Sequence, residues 1–340
     1  MEEHRECLAA ADGGASLLQQ AMSARLQALR ASFGPRLGAA LDALASRLSL
    51  FGGAGPDYFC HPLALPVLQL PVWAADVARR RGAEIPAAAV LDCVEAAATG
   101  YLHVRIHDDQ MDEGVGEAAS AMLLAEALFV RHQVLLARVA PPGSDFWARF
   151  QARWLAYGEA MLLEQHLHRT GGVTDAAAFD QVLQRSWPLS LPASAVLSLA
   201  ALSDGAVLEE TLHNFVMHLT RAHQLFTDLL DAEKDLRNKN LTYLVCRFTK
   251  GGRDGGERDA RELRQRLMLG GGIDAIVAEI HQDLDRAVEA ARALGAEEAC
   301  RFVEARRAFM TDVQRKVFEG FFARLLSSSQ SSVLCAAGGA

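Results

Sequence analysis

The sequence contains no Cys-x-x-Cys pair, although it has six cysteines. They stand far apart, at Cys7, Cys60, Cys93, Cys246, Cys300 and Cys335. This scatter matches neither the ligand spacing of a zinc site nor a disulfide framework, because both need cysteines at close or regular intervals. Free cysteines are typical of a reducing compartment, so we expect a cytoplasmic protein.

A signal peptide, a membrane span and an excess of positive charge are also missing. Residues 1–16 are acidic and polar, which is unlike a secretion signal. No apolar run reaches the ~18 residues that a membrane helix needs. The net charge of −8 argues against general binding to nucleic acid or to an anionic membrane. We therefore expect a soluble protein whose partner is a small molecule.

Strand-like alternation and internal repeats are absent too, and helical periodicity takes their place. Hydrophobic residues make up 51% of the chain and charged residues 22%, which is enough for a large core. Pro141–Gly143 and Gly171–Gly172 separate periodic segments. These features predict an all-α protein, a single large antiparallel helical bundle over residues 15–326. Residues 1–14 are expected to be a flexible leader, and residues 327–340 a disordered tail.

Two acidic stretches lie in apolar, helix-forming surroundings. In the first, residues 103–113, Asp108 and Asp112 are four positions apart and so lie on one face of a helix. In the second, residues 224–239, Thr227, Asp231 and Asp235 stay within an arc of roughly 80°, Asp228 lies on the same side, and Glu233 points away. Facing each other, two such helices would form a site for divalent cations and a polyanion, because Mg2+ prefers carboxylate and phosphate oxygens.

The two stretches together resemble the motifs of the class I isoprenoid synthases, which comprise the trans-prenyl diphosphate synthases and the class I terpene cyclases. HDDQMDE at 107–113 is similar to their DDxxD motif. Gln224-x-x-x-Asp228-Leu-Leu-Asp231 looks like the second motif of the prenyl synthases, whereas Thr227, Asp231 and Asp235 have the spacing of the cyclase metal triad. The resemblance spans about residues 85–240 and implies a helical bundle around a central apolar cavity, Mg2+ as cofactor with three ions, and a prenyl diphosphate as substrate.

The resemblance also implies roles for individual residues. Metal ligands would be Asp108 and Asp112, with Asp109 as a further or supporting ligand, and on the second helix Thr227, Asp231 and Asp235, with Asp228 as the alternative. Arg185, which is also assigned a catalytic role beside Asp108 and Asp112, would contact the diphosphate together with Lys234, Arg237 and Lys239. The pocket would be lined by Gly100, His103, Val104, Phe226 and Trp187, although aromatic residues make up only 7% of the chain.

One departure from the prenyl synthase pattern decides between the activities. Chain-elongating members carry Arg-Arg-Gly after DDxxD, but here Glu113–Glu117 reads EGVGE. We therefore predict a class I terpene cyclase that ionises a C15 or C20 allylic diphosphate. The small side chains of Ala96, Ala97 and Gly100 favour the C20 substrate, geranylgeranyl diphosphate. A trans-prenyl diphosphate synthase and a catalytically silent subunit of that type are the alternatives, and a homodimer is expected from the resemblance.

Overall fold

The structure, a computed structural model, describes residues 12–48, 58–61, 63–112, 118–249 and 256–337. Its helices are α1 (Asp12–Ser32), α2 (Pro35–Leu48), α3 (Gln69–Arg80), α4 (Ala87–Asp112), α5 (Ala118–Val139), α6 (Phe146–Thr170), α7 (Ala176–Val182), α8 (Leu191–Ala200), α9 (Gly205–Asn238), α10 (Tyr243–Phe248), α11 (Glu257–Met268), α12 (Gly272–Leu294) and α13 (Glu297–Ala337). Short 3-10 helices cover Tyr58–Cys60 and Leu183–Ser190. No strand occurs within these ranges, which confirms the predicted all-α fold.

Apolar periodicity explains how the helices pack. The buried positions of α12 recur every three or four residues, including Ile273, Ile276, Ile280, Leu284, Ala287, Val288 and Ala291. This stripe faces the long helix α9, while α4 pairs with α5 over a similar length. Helix α8, which is buried along most of its length, packs on α3 and α4. The acidic helices α4 and α9 are thus both central elements of the bundle.

The predicted breaks between helices are confirmed at the turns that join α5 to α6 and α6 to α7. Gly172 has φ +87°, and a Cβ added there would lie 2.3 Å from Cys246 Sγ, so only glycine fits between α6 and the segment before α10. Asp175 then begins α7, where its side chain accepts a hydrogen bond from Ala178 N at 2.9 Å.

The described helices extend close to both ends of the chain. Helix α13 continues to Ala337, and neither proline nor glycine interrupts the Ser-rich run before Gly338. The disordered tail stays a prediction. At the other end, α1 begins at Asp12, inside the predicted leader, and residues 1–11 lie outside the described ranges.

A buried ion pair ties α6 to α9. Arg153 Nη2 lies 3.0 Å from Glu209 Oε1, and both side chains are less than a tenth exposed. Arg153 Nη1 donates to Ser190 Oγ at 2.9 Å and to Ser194 Oγ at 3.0 Å, which connects the same guanidinium to α8. Burial lowers the pKa of Arg153, and the carboxylate of Glu209 opposes that shift. The pair therefore holds three elements together as long as both partners are present.

Removing one partner should leave the other charge buried without compensation. We expect Glu209→Ala to lower the free energy of unfolding by about 3–5 kcal/mol. The double variant Arg153→Met/Glu209→Leu should cost much less, because it removes both charges. Urea unfolding followed by circular dichroism measures each value. The exposed pair of Arg30 and Asp42 is the control, since Asp42→Ala should leave the free energy of unfolding close to that of the wild type.

Candidate functional site

Arg185 joins the two acidic stretches. This residue lies in the 3-10 segment before α8, and its Nη1 lies 3.5 Å from Asp108 Oδ1 of α4. The same Nη1 donates to Glu164 Oε2 of α6 at 2.5 Å, while Nη2 donates to Gln224 Oε1 of α9 at 2.8 Å. Carboxylates from α4 and α6 and an amide from α9 thus converge on one guanidinium. The structure therefore brings the predicted diphosphate-binding residue between the two predicted metal-binding helices.

Asp228 continues this network along α9. Gln224 Nε2 donates to Asp228 Oδ1 at 2.6 Å, so the two side chains lie on one face of the helix. Burial raises the pKa of Asp228 to about 7; nearby Asp235 and Glu164 raise it further, whereas the bond from Gln224 and the charge of Arg185 lower it. Asp228 is 4% exposed. The site therefore contains a carboxyl group that is easily neutralised.

The remaining predicted ligands on α9 lie differently. The hydroxyl of Thr227 donates to the carbonyl oxygens of His223 and Gln224, at 3.2 and 3.0 Å, so its proton is used within the helix. Asp231 is exposed, and Asp235 is half-buried near Asp228. Asp231 belongs to both patterns and does not separate them; the hydrogen bond between Gln224 and Asp228 favours the prenyl synthase register over the cyclase triad of Thr227, Asp231 and Asp235. Metal binding by either set stays a prediction.

Asp109 points to a different group of residues from Asp108. Its Oδ1 lies 2.7 Å from Arg105 Nη2, and its Oδ2 pairs with Arg47 of α2. With both oxygens bound to guanidinium groups and the side chain 3% exposed, Asp109 fits the supporting role rather than direct metal binding. Arg105 also lies 3.3 Å from Asp108 Oδ2 and thus connects the two aspartates.

The residues around Arg185 carry enough negative charge to attract a divalent cation. The carboxyl groups of Asp108, Glu164, Asp228 and Asp235 lie in this region, and the single positive charge of Arg185 offsets only part of theirs. Mg2+ compensates such an excess with carboxylate and water ligands. Among the described residues, however, no three acidic, histidine or cysteine side chains are already gathered as a ligand group. Asp112 is the last residue of α4, and its side chain is outside the described part of the structure.

The predicted cations at the end of α9 are exposed. Arg237 Nη2 lies 3.3 Å from Glu233 Oε2, and Glu233 also accepts hydrogen bonds from Arg264 of α11 at 2.6 and 2.8 Å. This confirms that Glu233 points away from the other acidic residues, and it turns Arg237 toward α11 rather than toward Asp228. Lys239 ends the helix with φ +62° and, like Lys234, is exposed. A diphosphate contact by Arg237 is thus not supported by this conformation.

Two residues of the network escaped the sequence analysis. Glu164 belongs to neither motif, and only the packing of α6 brings it to Arg185. Arg105 could have been found, because it precedes Asp108 and Asp109 by three and four positions, the spacing of helical ion pairs.

An apolar cavity lies beside α4, and its residues on this helix are farther from Asp112 than Asp108 is. Its lining includes Val67, Gly100 and Val104, together with His132 of α5, Trp154 of α6 and Pro188. Of the predicted pocket residues, Gly100 and Val104 line it, but His103, Phe226 and Trp187 do not. His103 binds Ala125 O at 3.0 Å, Phe226 is buried in the core, and Trp187 packs against His213.

The cavity does not have the predicted room for a C20 chain. A Cβ on Gly100 would lie 2.7 Å from His132 Nδ1, and that nitrogen is 2.7 Å from Ala96 O. The imidazole of His132 therefore occupies the space that Ala96 and Gly100 leave open. The cavity volume is about 10 Å3, which is room for about one water molecule, so a prenyl chain can enter only if the lining side chains move apart.

Comparisons with solved structures agree with this architecture. The chain is similar to a geranylgeranyl pyrophosphate synthetase from the archaeon Geoglobus acetivorans, with a TM-score of 0.66 and 15% identity over 85% of this chain and 97% of that one. A decaprenyl diphosphate synthase from Rhodobacter capsulatus gives 0.67 and 17% over 90% and 98%. A polyprenyl synthase from Caulobacter crescentus CB15, complexed with calcium and isoprenyl diphosphate, gives 0.65 and 18% over 90% and 97%.

These likenesses establish the fold. The chain has the all-α fold of the trans-prenyl diphosphate synthases, members of the class I isoprenoid synthase superfamily, as the two motifs predicted. No protein-family model matches the chain, and no curated protein matches its sequence.

The raised pKa of Asp228 has a consequence for stability. Because its folded pKa lies near 7 and its unfolded pKa near the usual ~4, ionisation in the folded protein costs free energy. The cost is absent below about pH 4, grows as the pH rises, and is complete above about pH 7. We expect Asp228→Asn to be more stable than the wild type by roughly 2–4 kcal/mol at pH 8 and nearly equal to it at pH 4. Urea unfolding across this range measures the difference.

The exposed residue Asp231 provides the matched control, since Asp231→Asn should follow the wild type at every pH. An offset between Asp228→Asn and the wild type that stays constant from pH 4 to pH 8 would contradict the assigned shift.

Proposed function

We propose that this protein is a metal-dependent enzyme acting on prenyl diphosphates, and that it transfers an allylic prenyl group to a second prenyl diphosphate. The observation that carries the proposal is the contact of Arg185 with Asp108 on one side and with Gln224, the partner of Asp228, on the other. This contact supports the prenyl synthase pattern of the second motif, which includes Gln224 and Asp228. The fold likeness to chain-elongating synthases supports the same activity over the cyclisation predicted from sequence.

In this proposal, Asp108 and Asp228 hold Mg2+, with Asp112, Asp231 and Asp235 as further ligands. Three ions stay an expectation from the resemblance. Bound Mg2+ would neutralise charge that develops on the departing diphosphate. Calcium in the Caulobacter synthase structure supports the use of a divalent metal. Asp228 would bind a cation in its ionised form, and a nearby cation would lower its pKa from the raised value.

Arg185 would exchange partners when substrate binds. In the present conformation its guanidinium neutralises Asp108 and Glu164. A metal cation on the carboxylates would leave the guanidinium available to the diphosphate oxygens, for which its planar fork is well suited. The apolar cavity beside Gly100 and Val104 would hold the hydrocarbon chain and exclude water from the reacting carbons.

A terpene cyclase is the second candidate. It is favoured by residues 113–117, EGVGE, which provide no arginine to hold a second diphosphate. The half-buried Asp235 near Asp228 also keeps the cyclase register available.

The two activities differ in their need for isopentenyl diphosphate. We expect the purified protein with Mg2+ and geranyl or farnesyl diphosphate to form a longer linear product only when isopentenyl diphosphate is present. Gas chromatography–mass spectrometry after dephosphorylation identifies the product. A cyclic product formed without isopentenyl diphosphate would refute the transferase hypothesis in favour of the cyclase. If no condition gives turnover, the catalytically silent subunit is the remaining hypothesis.

The Arg185 network should be essential to that reaction. Asp108→Ala and Arg185→Ala are each expected to reduce kcat/KM at least about a hundredfold, because each removes a charge that stabilises the leaving group. Asp42→Ala changes an exposed aspartate of α2 that pairs with Arg30, and this variant should retain full activity. Retained activity in Asp108→Ala would refute the assigned site.

We also propose that the protein is a homodimer through α5 and α6. Helix α5 is long and apolar enough to cross a membrane, a test that core helices of soluble proteins also pass, yet only 33% of its apolar window is buried. Leu123 and Val130 are exposed on one face of α5, and Leu155 and Leu162 on one face of α6. Each pair is seven residues apart, which is two helical turns.

A charge placed in the stripe should separate the subunits. Leu123→Asp and Leu155→Asp are expected to convert a dimer into a monomer in analytical ultracentrifugation, because each would bury an uncompensated carboxylate. Leu269→Asp changes an equally exposed leucine outside the stripe and should stay dimeric. A monomeric wild type would refute the interface.

A further inference from the structure

Two polar rings in the lining of the cavity have a nitrogen without a hydrogen-bond partner among the described residues. His132 of α5 and Trp154 of α6 both line the cavity. His132 Nε2 and Trp154 Nε1 are buried, and neither finds a partner among the described residues. Buried polar groups in folded proteins are normally hydrogen-bonded, so each exception calls for a reason. Two such exceptions in one small apolar cavity point to a ligand.

The hydrogen-bonding roles of the two nitrogens follow from their surroundings. His132 Nδ1 lies 2.7 Å from Ala96 O, and a carbonyl oxygen only accepts, so Nδ1 carries the proton. Nε2 is therefore an acceptor with a free lone pair. Burial lowers the pKa of His132 to about 4, which keeps the ring neutral near neutral pH. Trp154 Nε1 can only donate. The cavity thus offers one acceptor and one donor.

The geometry of the pair is firmly held. The ring centroids of His132 and Trp154 are 5.7 Å apart, with the planes at 79°. On its other side the imidazole lies against the backbone of Gly100, where an added Cβ would be 2.7 Å from Nδ1. Glycine at position 100 thus lets the imidazole approach α4 closely enough to bind Ala96 O.

We propose that His132 and Trp154 form a hydroxyl-binding site in the cavity. A hydroxyl group donates its proton to His132 Nε2 and accepts from Trp154 Nε1, so it satisfies both at once. A carbonyl group would leave the histidine lone pair unused, and an ammonium group would leave the indole N–H unused. Val67, Ala97 and Leu189 in the lining are apolar, and the hydroxyl of Tyr101, which accepts a hydrogen bond from Tyr58 at 3.2 Å, is its other polar group. The lining thus carries no charge, so the group that binds is uncharged.

Which molecule carries the hydroxyl group is inferred from the proposed function. If the cavity holds the prenyl chain, the hydroxyl is carried by the carbon farthest from the diphosphate, and the substrate is an oxygenated prenyl diphosphate. A water molecule presents the same chemistry. The experiment therefore needs one arm without diphosphate and one arm with it.

The first arm uses 3-methyl-2-buten-1-ol and the hydrocarbon 2-methyl-2-butene, which differ only in the hydroxyl group. We expect the alcohol to bind about tenfold more tightly, the value of one to two net hydrogen bonds. In nitrogen-15 spectra of histidine-labelled protein, the alcohol should move the Nε2 resonance of His132 away from that of a free lone pair. Trp154→Phe keeps a ring in the core and should abolish the preference for the alcohol.

The second arm compares geranyl diphosphate with 8-hydroxygeranyl diphosphate, with Ca2+ present. Tighter binding of the hydroxylated compound assigns the site to the substrate chain. A His132 Nε2 resonance that is already hydrogen-bonded without ligand, and is not moved by either alcohol, assigns the site to water. Equal binding within both pairs, with Nε2 keeping the resonance of a free lone pair, would overturn the site. Binding of the small alcohol but of neither diphosphate would preserve the hydroxyl site and refute the proposed function.

Discussion

The arrangement of the candidate site depends on one guanidinium group. Arg185 lies where carboxylates from α4 and α6 meet the amide of Gln224 from α9, and without a cation there the carboxylates would repel one another. Its planar fork contacts partners on three helices at once, which a lysine ammonium would do with less definite geometry. The residue that we assign to the diphosphate is therefore also the residue that connects the two helices proposed to bind metal.

Some charged residues of the bundle are paired with opposite charges and stabilise its packing, whereas Asp228 at the candidate site is not fully compensated. Asp109 has both oxygens bound by arginines and thereby connects α4 to α2. Arg153 and Glu209 neutralise each other in the core. Asp228 instead is buried, and its burial raises its pKa, although the hydrogen bond from the amide of Gln224 opposes that rise. An incompletely compensated carboxyl group costs stability and is ready to accept a cation, so its position beside Arg185 is consistent with a metal-binding role.

A side chain from a neighbouring helix reduces the cavity that the small residues of α4 predict. Small residues on α4 normally indicate room for a long ligand, but here they accommodate the imidazole of His132 from α5. What would have been empty apolar space becomes a small cavity in which His132 and Trp154 each have a ring nitrogen without a partner among the described residues. The size of the cavity is therefore limited by a residue that belongs to neither acidic motif.

Local information in the sequence determined the fold class and the location of the two acidic stretches. Periods of three to four residues in α12, and the glycines after α6, depend only on backbone geometry and burial, so they are visible without a partner helix. The tertiary structure decided which side chains meet. Glu164 reaches Arg185, Arg47 reaches Asp109 and His132 fills the space at Gly100 because helices distant in sequence pack side by side. The spacing of residues along one helix carries no information on that packing, which is why the register on α9 and the size of the cavity could not be derived from it.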